Sequence, residues 1–286
     1  MEAGNSLLAV LHYRPYDVLP LACLGFEADT IAKWTREGYL PIGSPAEKIY
    51  RQLGFDWDLT PICCEQELPA ACGRLSVRFS PNAGDKDAPF VLCVCGLYAH
   101  LLNHSPAGGR KEMEERLPTV IRSLRDQISG ICDERVPAVL VFEENPAAAA
   151  LPADMLQTLR CFYRELSGPL REMGIEFLSL SGMDWETLEP LLEEGCLNLL
   201  YPLSGSGGIE KLELWRLRFG RRTSYIGGMD PHAFSGSRED VDREIGRMYR
   251  LTEQGGILPC PDAPLPSDAL WDNVLYYTDR MRTLFS

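Results

Sequence analysis

The sequence predicts an α/β chain folded as a (β/α)8 TIM barrel, a single domain over residues 1–286. Three observations predict it. Eight short apolar runs recur along the chain, segments of helical spacing lie between them, and glycines mark the passage from helix to the next run. The runs are Asp17–Gly25, Leu59–Gln66, Pro89–Gly96, Pro137–Glu144, Glu176–Gly182, Leu197–Ser204, Thr223–Gly228 and Gly256–Asp262. Most are near-continuous apolar stretches, which is what parallel strands buried on both faces require. A barrel of eight such units takes about 250 residues. A doubly wound open sheet has the same alternation, and strand number alone does not separate the two.

The helical segments have one apolar face. Leu117, Ile121, Leu124 and Ile128 recur at that spacing; Leu188, Leu191 and Leu192 do so again, opposite Glu186, Glu189 and Glu193. The stretches "LLEEGCLNLL", "LRFGRRTSYI" and "LTEQGGILPC" place a glycine where a helix ends in a left-handed residue before a strand. One segment breaks the alternation. In Ala71–Pro89, Leu75, Val77 and Phe79 alternate with polar residues before "SPNAGDKD", which predicts a small hairpin inserted after the second strand.

Composition narrows the function classes. Hydrophobic residues make up 45% and charged residues 24%, the balance of a soluble globular protein. A net charge of -13 opposes binding to nucleic acid and to anionic membranes, both of which need a basic surface. No apolar run approaches the roughly 20 residues that span a bilayer. The N-terminus lacks the pattern of a secretory signal, so the ten cysteines read as reduced thiols of a cytoplasmic protein. A small molecule is the expected substrate.

Candidate site residues sit where strands end. In "RRTSYIGGMDPHAF" (Arg221–Phe234) a β-like run stops at two glycines and is followed by Asp230 and His232. Bare backbone admits a ligand closely, although turn chemistry makes the same pattern. Glu143 and Glu144 end the fourth run; paired carboxylates divide into acid and base when one is desolvated. Tyr201 closes the sixth run and can offer its hydroxyl to a ligand or pack as an aromatic. Cys93 and Cys95 share a strand face, whereas Cys63 and Cys64, beside Glu65, point to opposite faces; all read as packed thiols. His12 and His104 read as surface residues, and His100 as a residue with a local hydrogen bond. The loop Ser204–Gly208 lacks the spacing and lysine of a phosphate-binding loop.

The stretch from "FEENPAAAALPAD" through "EFLSLSGMDWETLEPLLEEGCLNLLYPLSGSGG" and "SYIGGMDPHAF" to "EQGGILPCPDAPLPSDALWDNVLYY" resembles the uroporphyrinogen decarboxylase superfamily. The N-terminal "DTIAKWTREGYLPIGSPAEKIYRQLGFDWDL" resembles the same group, and the middle, Pro61 to Arg135, is shortened and divergent. The resemblance implies a (β/α)8 barrel, in agreement with the strand reading. It also implies that "SYIGGMDP" is the seventh strand and its loop, at the end of the barrel where chemistry sits. Glu143, Glu144, Asp230 and His232 become catalytic candidates on this footing, and Tyr201, Asp184 and Asp262 substrate-binding candidates.

Two activities of the superfamily make different demands. The haem-pathway decarboxylase binds substrate carboxylates through closely spaced N-terminal arginines, a role that suits the planar guanidinium fork. Here "LPLACLGFEADTIAKWTREG" has no arginine before Arg36, which falls on an amphipathic helix, and "PCPDAPLP" replaces a histidine-bearing motif. A multiply anionic porphyrinogen is not the expected substrate. The corrinoid-linked methyltransferases bind zinc through a His-X-Cys pair on the fifth strand and a later cysteine. Ser179 and Ser181 stand at the first two positions and Cys260 near the third. A zinc held here would be weak, with Cys260 aided by Asp184, Asp230, Asp262 or Glu144. The expected function is a methyltransferase-type enzyme linked to corrinoid or small-thiol chemistry, the corrinoid being carried by a partner protein. The alternatives are a cofactor-free decarboxylase-like lyase and a non-catalytic binding barrel with a decayed site.

Overall fold

Every strand pairing described in the computed structural model is parallel. The described residues are 3–59, 91–96, 115, 118–119, 121–122, 125–126, 128–130, 136–143, 153–183, 185–201 and 211–285. The strands among them are β1 (Ala22–Cys23), β2 (Trp57–Asp58), β3 (Val91–Cys95), β4 (Ala138–Phe142), β5 (Phe177–Ser181), β6 (Leu199–Leu200), β7 (Ser224–Met229) and β8 (Ile257–Pro261). Helices with described bounds are α1 (Ala3–Leu11), α2 (Ala28–Arg36), α3 (Ala46–Leu53), α4 (Ala153–Glu172), α5 (Trp185–Glu193), α6 (Leu212–Phe219), α7 (Arg238–Glu253) and α8 (Trp271–Leu284). None of the helices is long and apolar enough to cross a membrane, among the described residues.

The chain divides into two units, Met1–Thr60 with Phe79–Ala88 and Tyr201–Ser286, and Pro61–Arg78 with Pro89–Leu200. In the second, β3, β4, β5 and β6 lie in sequence order, with Cys95 opposite Phe142 and Phe142 opposite Ser181. In the first, β7 pairs with β8 and β1 with β2. A parallel bridge from Phe26 to Leu265 joins the segment after β8 to the segment after β1. Leu265 N–H donates to the Gly25 carbonyl at 2.9 Å, and Glu27 N–H to the Leu265 carbonyl at 3.0 Å. The order within that unit is therefore 7-8-1-2. These pairings establish an α/β fold of parallel strands; they do not by themselves establish a closed eight-stranded barrel.

The apolar runs became strands for the reason they were legible. β4, β5, β7 and β8 are buried along their whole length, so both faces must be apolar or small. Gly195, Gly220 and Gly255 have φ of 70°, 60° and 72° at helix ends, as the sequence predicts. Leu188, Leu191 and Leu192 are buried on α5 while Glu193 is exposed. The second strand differs from expectation. β2 is Trp57–Asp58, just before the Leu59–Gln66 run, of which 60–66 lies outside the described residues. Its polar character is offset by partners far along the chain: the Asp56 carboxylate accepts from Leu21 N–H at 2.8 Å and from Arg282 at 3.0 Å. The hairpin expected over Ala71–Pro89 also lies outside the described residues.

Tyr13 locks α1 onto the start of β7 and β8. Its own φ is +58°, its hydroxyl donates to the Thr223 carbonyl at 2.7 Å, and its ring lies flat against Gly256. Gly256 has φ +71°, and a Cβ there would sit inside the Tyr13 ring. Gly256→Ala is expected to cost about 2–4 kcal/mol, from a left-handed alanine plus overpacking. Urea unfolding measures it, and the cost should shrink in a Tyr13→Leu background, where the ring no longer occupies the space.

Candidate functional site

At the end of β7, Gly227 and Gly228 have φ of 119° and 98°, so bare backbone faces the strand end. The Gly228 N–H donates to Asp262 Oδ1 at 2.8 Å, and Asp262 N–H donates to the Met229 carbonyl at 3.0 Å. Asp262 thus ties the ends of β7 and β8 together. Asp230 caps the 3-10 turn Pro231–Ser235: its Oδ1 accepts from His232 N–H at 3.0 Å, with Pro231 at the first turn position. From α7, Glu244 accepts the Asp230 N–H at 3.0 Å, and Arg247 donates to the Gly228 carbonyl at 2.7 Å and pairs with Glu244. Asp230 and His232 are both exposed, so the turn presents its imidazole to solvent while the aspartate organises the backbone.

Deeper in the same unit lies a dry group of thiols and phenols. Tyr201 and Cys260 are fully buried, with the phenol oxygen 3.7 Å from the sulfur, and Cys260 Sγ approaches the Pro261 carbonyl at 3.3 Å. Tyr277 is buried and its hydroxyl has no hydrogen-bond partner among the described residues. Burial pushes the Tyr277 phenol well above its ordinary value, with the neighbouring Cys260 and Cys23 thiols adding to the shift. Burial does the same to the Cys23 thiol, which donates to the Gly25 carbonyl at 3.4 Å. The Tyr277 phenol and the Cys23 thiol therefore stay protonated at neutral pH.

In the other unit, Glu143 is fully buried immediately after β4 and accepts a hydrogen bond from the Tyr163 hydroxyl on α4. Alternation puts Glu143 on the strand face of Val139 and Val141, while Leu140 and Phe142 share the other face with their register partners Ser179 and Ser181. Gly96 gives the carboxyl its room, since a Cβ there would overlap it. The Ser179 and Ser181 hydroxyls are buried and have no hydrogen-bond partner among the described residues. Glu144, Asp184 and Cys64 lie outside the described residues, as do His100, His104 and the Ser204–Gly208 loop. Cys93 is buried on β3, as expected of a packed thiol.

Tyr163, Gly96, Glu244 and Arg247 are the residues that sequence reasoning missed. Gly96 carried a signal, a glycine closing an apolar run; a tyrosine 20 residues from its carboxylate carried none.

The zinc implied by the resemblance does not fit this donor set. Neutral serine hydroxyls give little return for stripping water from Zn²⁺, whereas thiolate and imidazole do. Cys260 is beside a phenol and a carbonyl, and no group of three His, Cys, Asp or Glu side chains is placed to hold a metal among the described residues.

No family model matches the sequence, and no curated protein matches it either. The fold is shared. A methyltransferase from Methanosarcina mazei superposes over 100% of both chains with a TM-score of 0.64, at 12% sequence identity. At that identity the likeness defines an α/β architecture held in common and leaves the chemistry to the residues.

Two measurements check this account. Tyr13, Tyr225 and Tyr277 all have phenols raised above the usual value, chiefly by burial. A raised phenol contributes stability that is complete below the unfolded value of about 10 and is lost as pH rises beyond it. Melting temperature should therefore fall above that pH, with part of the tyrosinate absorbance appearing only as the chain unfolds. Separately, Tyr163→Phe removes the described donor to the buried Glu143 carboxyl and should cost about 1–3 kcal/mol in chemical denaturation. A cost near zero would mean that the bond does not hold the carboxyl in place.

Proposed function

We propose that the chain is a methyltransferase-type enzyme, built as one (β/α)8 barrel over residues 1–286, that works beside corrinoid or small-thiol chemistry without the zinc triad. The observation that carries this reading is the full-length structural likeness to the Methanosarcina mazei methyltransferase. The strand orders 7-8-1-2 and 3-4-5-6 within the two units support closure into a barrel, because each is an unbroken arc of that order. The acidic surface and the reduced cysteines support a cytoplasmic protein with a small-molecule substrate, and a corrinoid would arrive on a partner protein.

In this reading a small thiol is the methyl acceptor. His232, exposed on the turn that Asp230 caps, takes the thiol proton. The sulfur then forms the bond to the methyl carbon, and the electron pair of the broken bond stays with the donor. Asp262, which ties the ends of β7 and β8 together, positions the acceptor. The cofactor-free lyase reading needs an Asp or Glu free to act, and one of its candidates, Glu143, accepts from Tyr163 on the face opposite Ser179 and Ser181. The decayed binding barrel is favoured by the serines at the expected metal positions and by the shortened, divergent middle of the sequence.

Methylcobalamin and a panel of small thiols test the proposal. Under anaerobic conditions the full chain should consume methylcobalamin in a thiol-dependent way, and His232→Ala should slow this by about a hundredfold, the lower end of the general-base range. No transfer with any thiol would overturn the assignment in favour of the binding barrel. Metal analysis without chelator should find substoichiometric zinc and an intact fold in Cys260→Ala. One tight zinc per chain, lost in that variant, would overturn the zinc-free part.

A further inference from the structure

We infer that a groove between α7 and α8 is a binding site for a small amphiphilic anion, an apolar body carrying one carboxylate, sulfonate or phosphate. The groove is shallow and open to solvent, with a volume of about 400 Å³, within the range of small-molecule sites. Its apolar wall is Ile245, Tyr249 and Leu284, and Gly246 forms part of its lining. It runs along the middle of α7 and the C-terminal half of α8, and its lining does not include Glu244 and Arg247, which reach the end of β7.

Two independent features point to a ligand. The first is Gly246, inside a 16-residue helix, where glycine is the poorest former after proline. It is not left-handed, and a Cβ would meet nothing within 4 Å. No packing or backbone demand of this chain requires glycine here, so the space it leaves is available to another molecule. The second is the pair Arg250 and Arg280 on the groove's edges. Both are exposed, and neither makes an ion pair or hydrogen bond among the described residues. The two guanidinium groups thus place positive charge on one groove of a chain whose net charge is -13. The one carboxylate in the lining, Asp242, accepts from the Tyr276 hydroxyl at 2.8 and 3.0 Å. Arginine forks suit carboxylate, sulfonate and phosphate, and the apolar wall suits a ring or short alkyl chain.

Anilinonaphthalene sulfonate, an aromatic body with one sulfonate, is the probe. The native full chain should bind it at one saturable site with a rise in fluorescence, and added salt should weaken binding. Octanoate should displace it and octanol should not. Gly246→Leu fills the groove from open space and should abolish saturable binding without lowering the melting temperature. The double variant Arg250→Gln, Arg280→Gln should weaken binding by about tenfold or more, because both charge-assisted contacts are lost. Absence of saturable binding to the native chain, or binding unchanged in either variant while near-ultraviolet circular dichroism is native, overturns the proposal.

Discussion

The short segment Leu265–Ala269, after β8, is the constraint on which the larger unit depends. β1 has only two residues, so its flanking backbone must be satisfied by something other than a long ladder. One side is met by β2, through Asp56 and Trp57 N–H to the Leu21 carbonyl and Leu59 N–H to the Cys23 carbonyl. The other side is met by Leu265, whose carbonyl also accepts from the Thr30 hydroxyl at 2.9 Å, 235 residues away. Lys33 and the Trp34 indole donate to Ala269 at 3.1 and 3.0 Å. On its far side the segment grips the turn after β7: Leu270 N–H and the Asn273 amide both donate to the Phe234 carbonyl. The placement of Asp230 and His232 is thus fixed by the same few residues that hold the N-terminus in the fold.

Strands buried on both faces were the legible part of the architecture, because burial forces a composition that a reader can recognise. β4, β5 and β8 sit inside the runs expected of them, and β7 extends one residue past its run, to Met229. β2 was not legible. Trp57 lies between two carboxylates, and what makes them tolerable is Arg282 for Asp56 and the Tyr50 hydroxyl for Asp58. Local composition cannot report a partner brought from the last helix. Helix ends were legible for the opposite reason: a left-handed residue is a local demand, and Gly195, Gly220 and Gly255 answer it locally.

Glu143, Asp230 and Asp262 were legible as residues that follow strands, but what each one bonds depends on side chains and backbone from other elements. Asp262 bonds the Gly228 N–H, Asp230 the His232 N–H, and Glu143 the Tyr163 hydroxyl. Each carboxylate that a strand-end pattern marks as chemistry also meets a backbone or packing need. Of the residues at the β7 turn, His232 is exposed, its backbone N–H bonds Asp230, and its ring lies near enough to Asp268 to help lower that carboxyl.

Space beside glycine separates what the fold needs from what it leaves open. At Gly256 the missing side chain is replaced by the Tyr13 ring, and at Gly96 by the Glu143 carboxyl; in both, another residue of the chain fills the volume. Selection for folding is enough to explain such glycines, since any side chain would displace a neighbour in a close-packed interior. At Gly246 nothing fills it, and the helix would be more stable with alanine. Gly168, on α4, has equally open surroundings but stands immediately before Pro169, where proline restricts the preceding backbone and glycine eases the strain. Gly246 has no such neighbour: Ile245 and Arg247 place no demand on its φ. A helix-interior glycine required by neither packing nor backbone leaves its space to another molecule, and the two arginines beside it, without an ion pair or hydrogen bond among the described residues, give that molecule its charge.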